Sequence, residues 1–340
     1  LEQFRRAEST AFVATTAEIA DRRISAECDD RSFFSEFFMF FGGPPPTEGR
    51  ADPSADMHLS VRTDLHPDFG CFRINDSSGT PLDGREFTFA LGEEGIFARI
   101  DGLSEEWRAV SFRDDQAPAF AFNGKECLFA LQTVWRRSIN WFLLWRLMRI
   151  RSDAIFFHAS AMGIGDEGTI FVGPKGGGKS TTALSLAARG HNLLSDEIAG
   201  YQAATGNVVP FRRPVGIKPG PRCAAVSRGL DHASAEAIDR EGFIRVDVET
   251  LFQVAPARPY PLRRIVFLRG FEARPDIIRI EPGRAEIAEL QPLMSSFLNA
   301  SHSQRVFELI RLLSTAKVYR LHPGDPDETA EYLEEVFGNE

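Results

Sequence analysis

The chain has 340 residues, which is long enough for two domains or for one domain with a large additional segment. Hydrophobic residues make up 43% and charged residues 26%, an ordinary balance for a globular protein that excludes a disordered or collagen-like chain. The 39 basic and 48 acidic residues give a net charge of −9, which argues against nonspecific nucleic-acid binding.

Cysteine usage and hydropathy indicate the compartment. The four cysteines form no CxxC pair, which disfavours a zinc site and suits a reducing cytoplasm. The polar start of the chain lacks a signal-peptide pattern. Arginines interrupt the most apolar stretch, residues 127–148, which disfavours a membrane span. We therefore expect a cytoplasmic protein that does not enter the membrane.

The first 41 residues look helical at first and then strongly aromatic. Six phenylalanines crowd into residues 33–41. We interpret this cluster as a core-facing segment, and the alternative is a docking surface for a partner.

Residues 57–125 change to a period of two, which is typical of strands. Five short strands are predicted, at residues 57–62, 69–74, 85–91, 95–101 and 107–112. A long amphipathic helix is predicted over residues 126–148. These patterns predict a β-rich domain over residues 1–125, for partner or substrate binding, in front of a second domain over residues 126–340.

The second half of the chain has the pattern of an α/β protein. Its strands are predicted at residues 154–162, 169–173, 191–197 and 262–270, with a hairpin over 199–211. A helix after the second of these strands ends at Gly190, a plausible C-terminal cap. The final third is predicted to be mainly helical, with a late strand at residues 317–321.

The most specific motif is a glycine-rich loop between a predicted strand and a predicted helix. Residues 173–180 read GPKGGGKS, which fits the phosphate-loop pattern in full. Glycines let backbone N–H groups approach phosphate, Lys179 adds a positive charge, and Ser180 can ligate Mg²⁺. The predicted ATP-binding residues are Gly173, Pro174, Lys175, Gly176, Gly177, Gly178, Lys179, Ser180 and Thr181.

Two acids follow at the end of the next predicted strand. A right-handed crossover puts Asp196 beside the phosphate loop, at the carboxyl end of the neighbouring strand. A carboxylate there can hold Mg²⁺ through water or accept a proton from an attacking hydroxyl; the alternative is an exposed turn acid. His158 lies on the strand before the loop, where a lone His is more often a core residue.

The segment from FFHASAM to RGHNLLSDE resembles the catalytic domain of HPr kinase/phosphorylase, a family similar in fold to PEP carboxykinases. The resemblance covers about residues 155–220, and it extends to bacterial HPr-kinase-like proteins that phosphorylate precursor peptides, including lasso-peptide kinases. The family's Gly-Ile pair matches Gly216-Ile217, but the Glu expected shortly before it is absent.

The resemblance implies site roles. Asp196 would be the base that deprotonates a serine hydroxyl, and His158 would assist near the phosphates. Ser180 with Asp196 or Glu197 would hold Mg²⁺. The fold implied is an HPr kinase/PEP-carboxykinase-like P-loop domain behind a smaller β-rich domain.

Two basic segments are candidates for substrate or phosphate contacts. Residues 210–228 contain no acid, and residues 255–264 resemble the family's Arg/Pro-rich stretch. A solvated surface loop is the alternative for the first segment. The predicted contact residues are Arg212, Arg213, Lys218, Arg258 and Arg263.

Together these features predict an ATP- and Mg²⁺-dependent serine kinase. It would phosphorylate a Ser or Thr hydroxyl of a protein or precursor peptide, with no nucleic-acid or membrane partner and with possible homo-oligomers. Three alternatives stay open: a small-molecule kinase, an NTP-hydrolysing switch, and a nucleotide-binding protein without catalysis. The missing Glu makes the last one credible.

Overall fold

The protein is described here from a computed structural model. It describes residues 12–28, 30–52, 54–62, 72–74, 97–100, 108–112, 119–122, 126–130, 144, 147–148, 151, 153–218, 220–232, 237–238, 244–294 and 302–339. The chain divides into two compact units, Leu1–Ile150 and Arg151–Glu340. The division therefore lies between Ile150 and Arg151 rather than between residues 125 and 126. Among the described ranges, no helix is both long and apolar enough to cross a membrane.

In the described residues of the first unit, nine strands form a mixed sheet in the order β3-β1-β2-β4-β9-β8-β7-β6-β5. The strands are β1 (Val13–Ile19), β2 (Arg22–Cys28), β3 (Thr47–Glu48), β4 (Met57–Arg62), β5 (Phe72–Ile74), β6 (Phe97–Ile100), β7 (Arg108–Phe112), β8 (Ala119–Phe122) and β9 (Glu126–Ala130). Four of the five predicted strands are confirmed as β4, β5, β6 and β7, and the fifth, at residues 85–91, lies outside the described residues.

The helical interpretation of the chain start is wrong for residues 13–28, which form the β1–β2 hairpin. Its two-residue turn is Ala20-Asp21, with φ of 53° and 56°. Positive φ at both central residues is the turn geometry that matches the twist of paired strands, so the turn fixes the register. Ile19 pairs with Arg22, the first residue after the turn.

The aromatic cluster forms helix α1 (Phe33–Phe41). The side chains of Phe33, Phe37 and Phe41 are each at most 2% exposed. The core-facing interpretation therefore holds for these rings, and they are not the surface of a docking site.

The beginning of the predicted long helix is wrong. Residues 126–130 are strand β9, which pairs in parallel with β4 inside the first sheet. Further along, the described residues Leu144, Leu147 and Met148 are helical and buried. The part of the predicted helix over residues 131–143 lies outside the described residues.

The second unit confirms the α/β fold class. Its strands are β10 (Ile155–Phe157), β11 (Ser160–Ile164), β12 (Glu167–Val172), β13 (Asn192–Ser195), β14 (Ala199–Gln202), β15 (Asn207–Val209), β16 (Val215–Ile217), β17 (Ala237–Ile238), β18 (Ile244–Val246), β19 (Tyr260–Leu268), β20 (Asp276–Ile280) and β21 (Lys317–His322). Its helices are α2 (Lys179–Ala188), α3 (Ala224–His232), α4 (Val248–Leu251), α5 (Arg284–Leu290), a 3₁₀ turn (Gln291–Leu293), α6 (His302–Thr315) and α7 (Pro326–Gly338).

One mixed sheet organises this unit. It has the path β10-β14-β15-β19-β12-β11-β13, with β21 paired to β19 and β20 paired to β21, and β16-β18-β17 form a separate small sheet. Alternate side chains of β12 and β19 enter two apolar clusters, one with α2 and α7 and one with α6. The main sheet is therefore covered by helices on both faces.

Strand directions decide which residues meet at one edge. β12 runs parallel to β19, and β19 runs parallel to β21. β11 is antiparallel to both β12 and β13, so β13 runs in the same direction as β12. The segments after β12, β13, β19 and β21 therefore share one edge of the sheet, where α/β proteins bind ligands.

The predicted strand 154–162 is in fact two strands. β10 pairs with β14, whereas β11 lies between β12 and β13. His158 stands at the break, and its backbone N–H donates to the carbonyl of Leu293 at 2.7 Å. His158 is therefore not a core strand residue but reaches the same sheet edge as the residues that follow β12 and β13.

Candidate active site

The loop between β12 and α2 has the backbone that phosphate binding needs. Gly176 and Gly178 have φ of +82° and +93°, values that strain any other residue type. A Cβ on Gly177 would lie 3.1 Å from the Pro174 carbonyl oxygen. The residues present therefore fit a phosphate group, because the loop needs glycine where backbone N–H groups must approach it.

Lys179 is the first residue of α2 and is buried. Its Nζ donates to the carbonyl oxygens of Gly173 at 2.8 Å and Pro174 at 3.0 Å. Burial lowers the pKa of Lys179, and the charge of Asp196 opposes that shift. The ammonium is thus held inside the loop by two neutral acceptors, which a phosphate oxygen can replace with a stronger charge-assisted bond.

The residues at the end of α2, which belong to the RGH segment of the family resemblance, have structural roles. Gly190 has φ of +97°, its N–H bonds to Ala187, and the His191 N–H bonds to Leu186. This is the hydrogen-bond pattern of a Schellman cap and confirms Gly190 as the helix stop. Arg189 and His191 both bind the carboxylate of Glu334 on α7, at 2.6 and 2.8 Å. These residues attach α7 to α2.

Asp196 follows β13 and is buried at the edge that carries the loop. Its carboxylate accepts a hydrogen bond from Ser180, and its backbone carbonyl accepts one from Ser160 Oγ at 2.5 Å. Because β11 lies between β12 and β13, the strand that leads to Asp196 is not the immediate neighbour of β12, as the sequence predicted, but the next strand along. Burial, with the charge of Glu197 second, raises the pKa of Asp196 to about 6.

Glu197 has the opposite environment. Its carboxylate contacts Arg213 at 2.7 Å and Arg245 at 3.5 Å. Burial alone would raise the pKa of Glu197, but the charges of Arg213 and Arg245 outweigh it and lower that pKa. The pKa values of these two adjacent carboxyls are therefore shifted in opposite directions. Asp196 can exchange a proton near neutral pH, while Glu197 stays ionised.

Arg245 and Ser160 are site residues that the sequence analysis missed. Arg245 comes from β18 in the separate small sheet, far from the motif in sequence. Its guanidinium lies over Gly216, where a Cβ would be 2.9 Å from the guanidinium carbon. The Gly of the Gly-Ile pair was the available signal, because a residue without a side chain marks a close approach.

His158 is brought to the site as predicted. Its imidazole bonds to the backbone of Glu197, and the positive charges of Lys179 and Lys218 act on it. Desolvation by surrounding protein and the charge of Lys179 lower the pKa of His158, so the ring is neutral at pH 7. Lys218 follows β16, and its charge also lowers the pKa of Lys179, which places it at the same edge.

The structure gives the predicted arginines different positions. Arg212 donates to the Leu193 carbonyl at 2.8 Å and to Glu249 at 2.9 Å, so its guanidinium fixes β13 and α4. Arg213 contacts the carboxylate of Glu197 at 2.7 Å, and its positive charge also acts on Asp196. Both guanidinium groups bind protein groups, so we interpret Arg212 and Arg213 as positioning residues, and direct substrate contact stays a prediction.

Arg258 and Arg263 lie at the wrong edge for the predicted phosphate contact. Arg258 pairs with Asp166 at 3.0 Å, and Arg263 pairs with Glu167 at 3.5 Å. These acids stand at the amino end of β12, and the strand rises by about 3.3 Å per residue, so roughly 20 Å of strand separates them from the loop. The structure does not bring Arg258 and Arg263 to the phosphate loop of this chain.

A metal ion would have few protein ligands. Within the part of the chain that the structure describes, no group of three or more His, Cys, Asp or Glu side chains is placed to hold one. Ser180 and Asp196 are hydrogen-bonded to each other, which fits an ion held by one hydroxyl, one carboxylate and phosphate oxygens. Glu197 is engaged by Arg213 and Arg245, so it is the weaker candidate of the predicted metal ligands.

The raised pKa of Asp196 predicts how the stability of the metal-free protein depends on pH. Between the ordinary pKa of 3.8 and the folded value of about 6, the folded state binds more protons than the unfolded state. The free energy of unfolding therefore falls as the pH rises through this window, by on the order of 3 kcal/mol.

The measurement is denaturant unfolding in EDTA from pH 4 to pH 8. Asp196→Asn should be more stable than the wild type at pH 7, and the difference should vanish near pH 4. A pH-independent difference would contradict the raised pKa of Asp196.

A curated protein is similar to part of this chain. The chain is 25% identical over 192 residues to the HPr kinase/phosphorylase of Aromatoleum aromaticum, a match that covers 55% of each protein. This relative supports an HPr kinase-like family for the chain. The chain spans about half the length of that relative. No family model matches the chain.

A solved structure also aligns with the chain. The Hpr(Ser) kinase/phosphatase of Coxiella burnetii covers 54% of this chain and 94% of its own, at 14% identity and a TM-score of 0.26. At this TM-score the alignment does not establish a shared fold. The kinase-type assignment therefore rests on the curated relative, beside the geometry of the loop and Asp196.

Proposed function

We propose that the protein is an ATP- and Mg²⁺-dependent kinase that phosphorylates a Ser or Thr hydroxyl of a protein or peptide. One observation carries the proposal: a buried carboxylate, Asp196, is hydrogen-bonded to Ser180 of a glycine-rich phosphate loop. A base next to bound phosphate is what transfer to a hydroxyl requires.

The residues of the site divide the work. The loop backbone and Lys179 bind the phosphates of ATP, and Ser180 and Asp196 would hold the metal ion. Mg²⁺ would neutralise negative charge on the phosphate oxygens. Asp196 takes the proton of the acceptor hydroxyl. The backbone of Glu197, whose carboxylate is ionised beside two arginines, hydrogen-bonds to the His158 imidazole.

The neighbouring charges support ATP as the donor. Lys179 is buried in the loop, and Lys218 stands near enough to lower its pKa. Two ammonium groups at one edge repel each other until an anion lies between them, so a polyphosphate is the complementary ligand.

A protein or peptide acceptor is supported by the name of the curated relative, which acts on the protein HPr. Residues 1–125 remain our proposed partner- or substrate-binding part. An HPr-like protein and a precursor peptide are both Ser-containing acceptors that the same base can serve.

The test is phosphate transfer from γ-labelled Mg·ATP to three mixtures: an HPr protein, Ser-containing peptides encoded beside the gene, and no acceptor. We expect label on serine in one protein or peptide, with no transfer to its Ser→Ala version. Equal ATP hydrolysis in all three mixtures would instead indicate an NTP-hydrolysing switch.

A further inference from the structure

The strand order puts different segments on the two sides of the phosphate loop. β11 and β13 lie on one side of β12 and lead to Asp196, whereas β19 and β21 lie on the other. In phosphoryl transfer the attacking and leaving oxygens stand roughly in line on opposite sides of the phosphorus. If the acceptor hydroxyl lies at Asp196, the leaving oxygen and the nucleoside attached through it lie on the side of β19 and β21.

An exposed aromatic ring stands on that side. Phe271, three residues after β19, is 60% exposed. Its Cε1 and Cζ atoms lie 3.4 Å from the position that a Cβ on Gly178 would take. The ring therefore borders the phosphate loop itself, directly before Lys179, and keeps most of its surface open to solvent.

The segment that carries Phe271 is fixed on both sides of it. The Arg269 N–H donates to the Leu321 carbonyl at 2.8 Å, and the Glu272 N–H donates to the Pro323 carbonyl at 3.0 Å. A nitrogen of His322 lies 3.0 Å from the Gly270 carbonyl oxygen. These bonds hold the ring in place before any ligand arrives, which lowers the entropy cost of stacking on it.

We propose that Phe271 is the stacking surface for the base of the nucleotide held by the phosphate loop. This inference rests on the proposed function, and it names the nucleoside-binding residue of the same site. Stacking uses the face of the ring and no hydrogen-bond pattern, so it accepts either purine. Phe271 should therefore strengthen the binding of ATP and GTP alike.

The experiment compares a nucleotide with its phosphates alone. Calorimetry with Mg²⁺ measures the affinity of ATP and of inorganic tripolyphosphate for the full chain. Phe271→Ala should weaken ATP binding about 10-fold and leave tripolyphosphate binding unchanged. Phe307→Ala is the matched control, because Phe307 is 64% exposed on α6, a helix of the opposite sheet face.

A second variant guards against a merely structural effect. Phe271→Trp should keep ATP affinity, and ATP but not tripolyphosphate should quench the added indole fluorescence relative to the wild type. Unchanged ATP affinity in Phe271→Ala would overturn the stacking assignment. Equal loss of both ligands would overturn it too, since the ring would then support the loop rather than the base.

The two levels of inference fail differently. Failure of the wild type to bind either ATP or tripolyphosphate contradicts the proposed kinase function. Binding of both ligands by the wild type, with no selective loss in Phe271→Ala, contradicts only the role of Phe271.

Discussion

Replacing Asp196 with Asn is expected to lower phosphoryl transfer by about 10²–10⁴-fold, the range for a lost general base. Asn keeps the size of the side chain and can still hydrogen-bond with Ser180, so ATP affinity should change much less than turnover. Single-turnover transfer to the identified acceptor and calorimetric ATP binding measure the two quantities separately.

Asp166→Asn is the control for this substitution. The Asp166 side chain is 94% exposed and stands at the opposite end of β12. The transfer rate and the ATP affinity of Asp166→Asn should both match those of the wild type. A near-normal turnover in Asp196→Asn would move the base elsewhere, and Glu197 would be the next residue to replace.

The same substitution separates function from stability. Burial makes the ionised form of Asp196 costly, and its pKa is raised to about 6 for that reason. Asn removes that cost, so the inactive variant should also be the more stable one at pH 7. A residue whose loss stabilises the fold and removes activity is retained for its chemistry rather than for packing.

The phosphate loop could be predicted from sequence because its parts are contiguous. Strand, glycines and helix follow one another between residues 167 and 188, so the local pattern already contains the geometry. Asp196 was also within reach, because one helix and one strand connect it to the loop. The intervening β11 was not foreseen, since a strand inserted from earlier in the chain leaves no mark on the crossover.

Long-range partners were the part that sequence could not supply. Arg245 lies 48 residues beyond Glu197 and arrives from another sheet. Nothing in a local window distinguishes it from the other arginines of the chain. Arg258 and Arg263 show the opposite error. Their basic stretch resembles a phosphate contact in sequence, but the direction of β19 places it at the opposite edge of the sheet.

The front of the chain shows why periodicity failed there. Residues 13–28 contain apolar positions that fit either a helix or alternating strands, and the two-residue turn at Ala20-Asp21 decides between them. That turn lacks the usual Gly or Asn, so the turn signal was weak. The burial of the α1 phenylalanines, in contrast, followed directly from their hydrophobicity.

Replacing Lys179 with Ala is expected to abolish most of the stabilisation that Mg·ATP gives the protein. For the wild type, ATP at 100 times its Kd should add about 2.7 kcal/mol to the free energy of unfolding. Thermal unfolding with and without millimolar Mg·ATP measures this gain. Lys317→Ala, at the start of β21 and the opposite edge of the sheet, should keep the full gain.

The position of the lysine explains why the loss should be large. Lys179 is 8% exposed, and its Nζ donates hydrogen bonds to the Gly173 and Pro174 carbonyls. The unfavourable free energy of burying its charge is offset when a phosphate anion binds beside it. Because Ala also removes the two loop hydrogen bonds, the unfolding temperature of each variant with ATP is compared with that of the same variant without ATP. Lys179→Met is a second variant, which removes the charge but nearly keeps the length of the side chain. Both variants should lose the ATP effect while folding cooperatively. A full ATP shift in Lys179→Met would mean that nucleotide binds away from this loop, and the proposed kinase site would then be wrong.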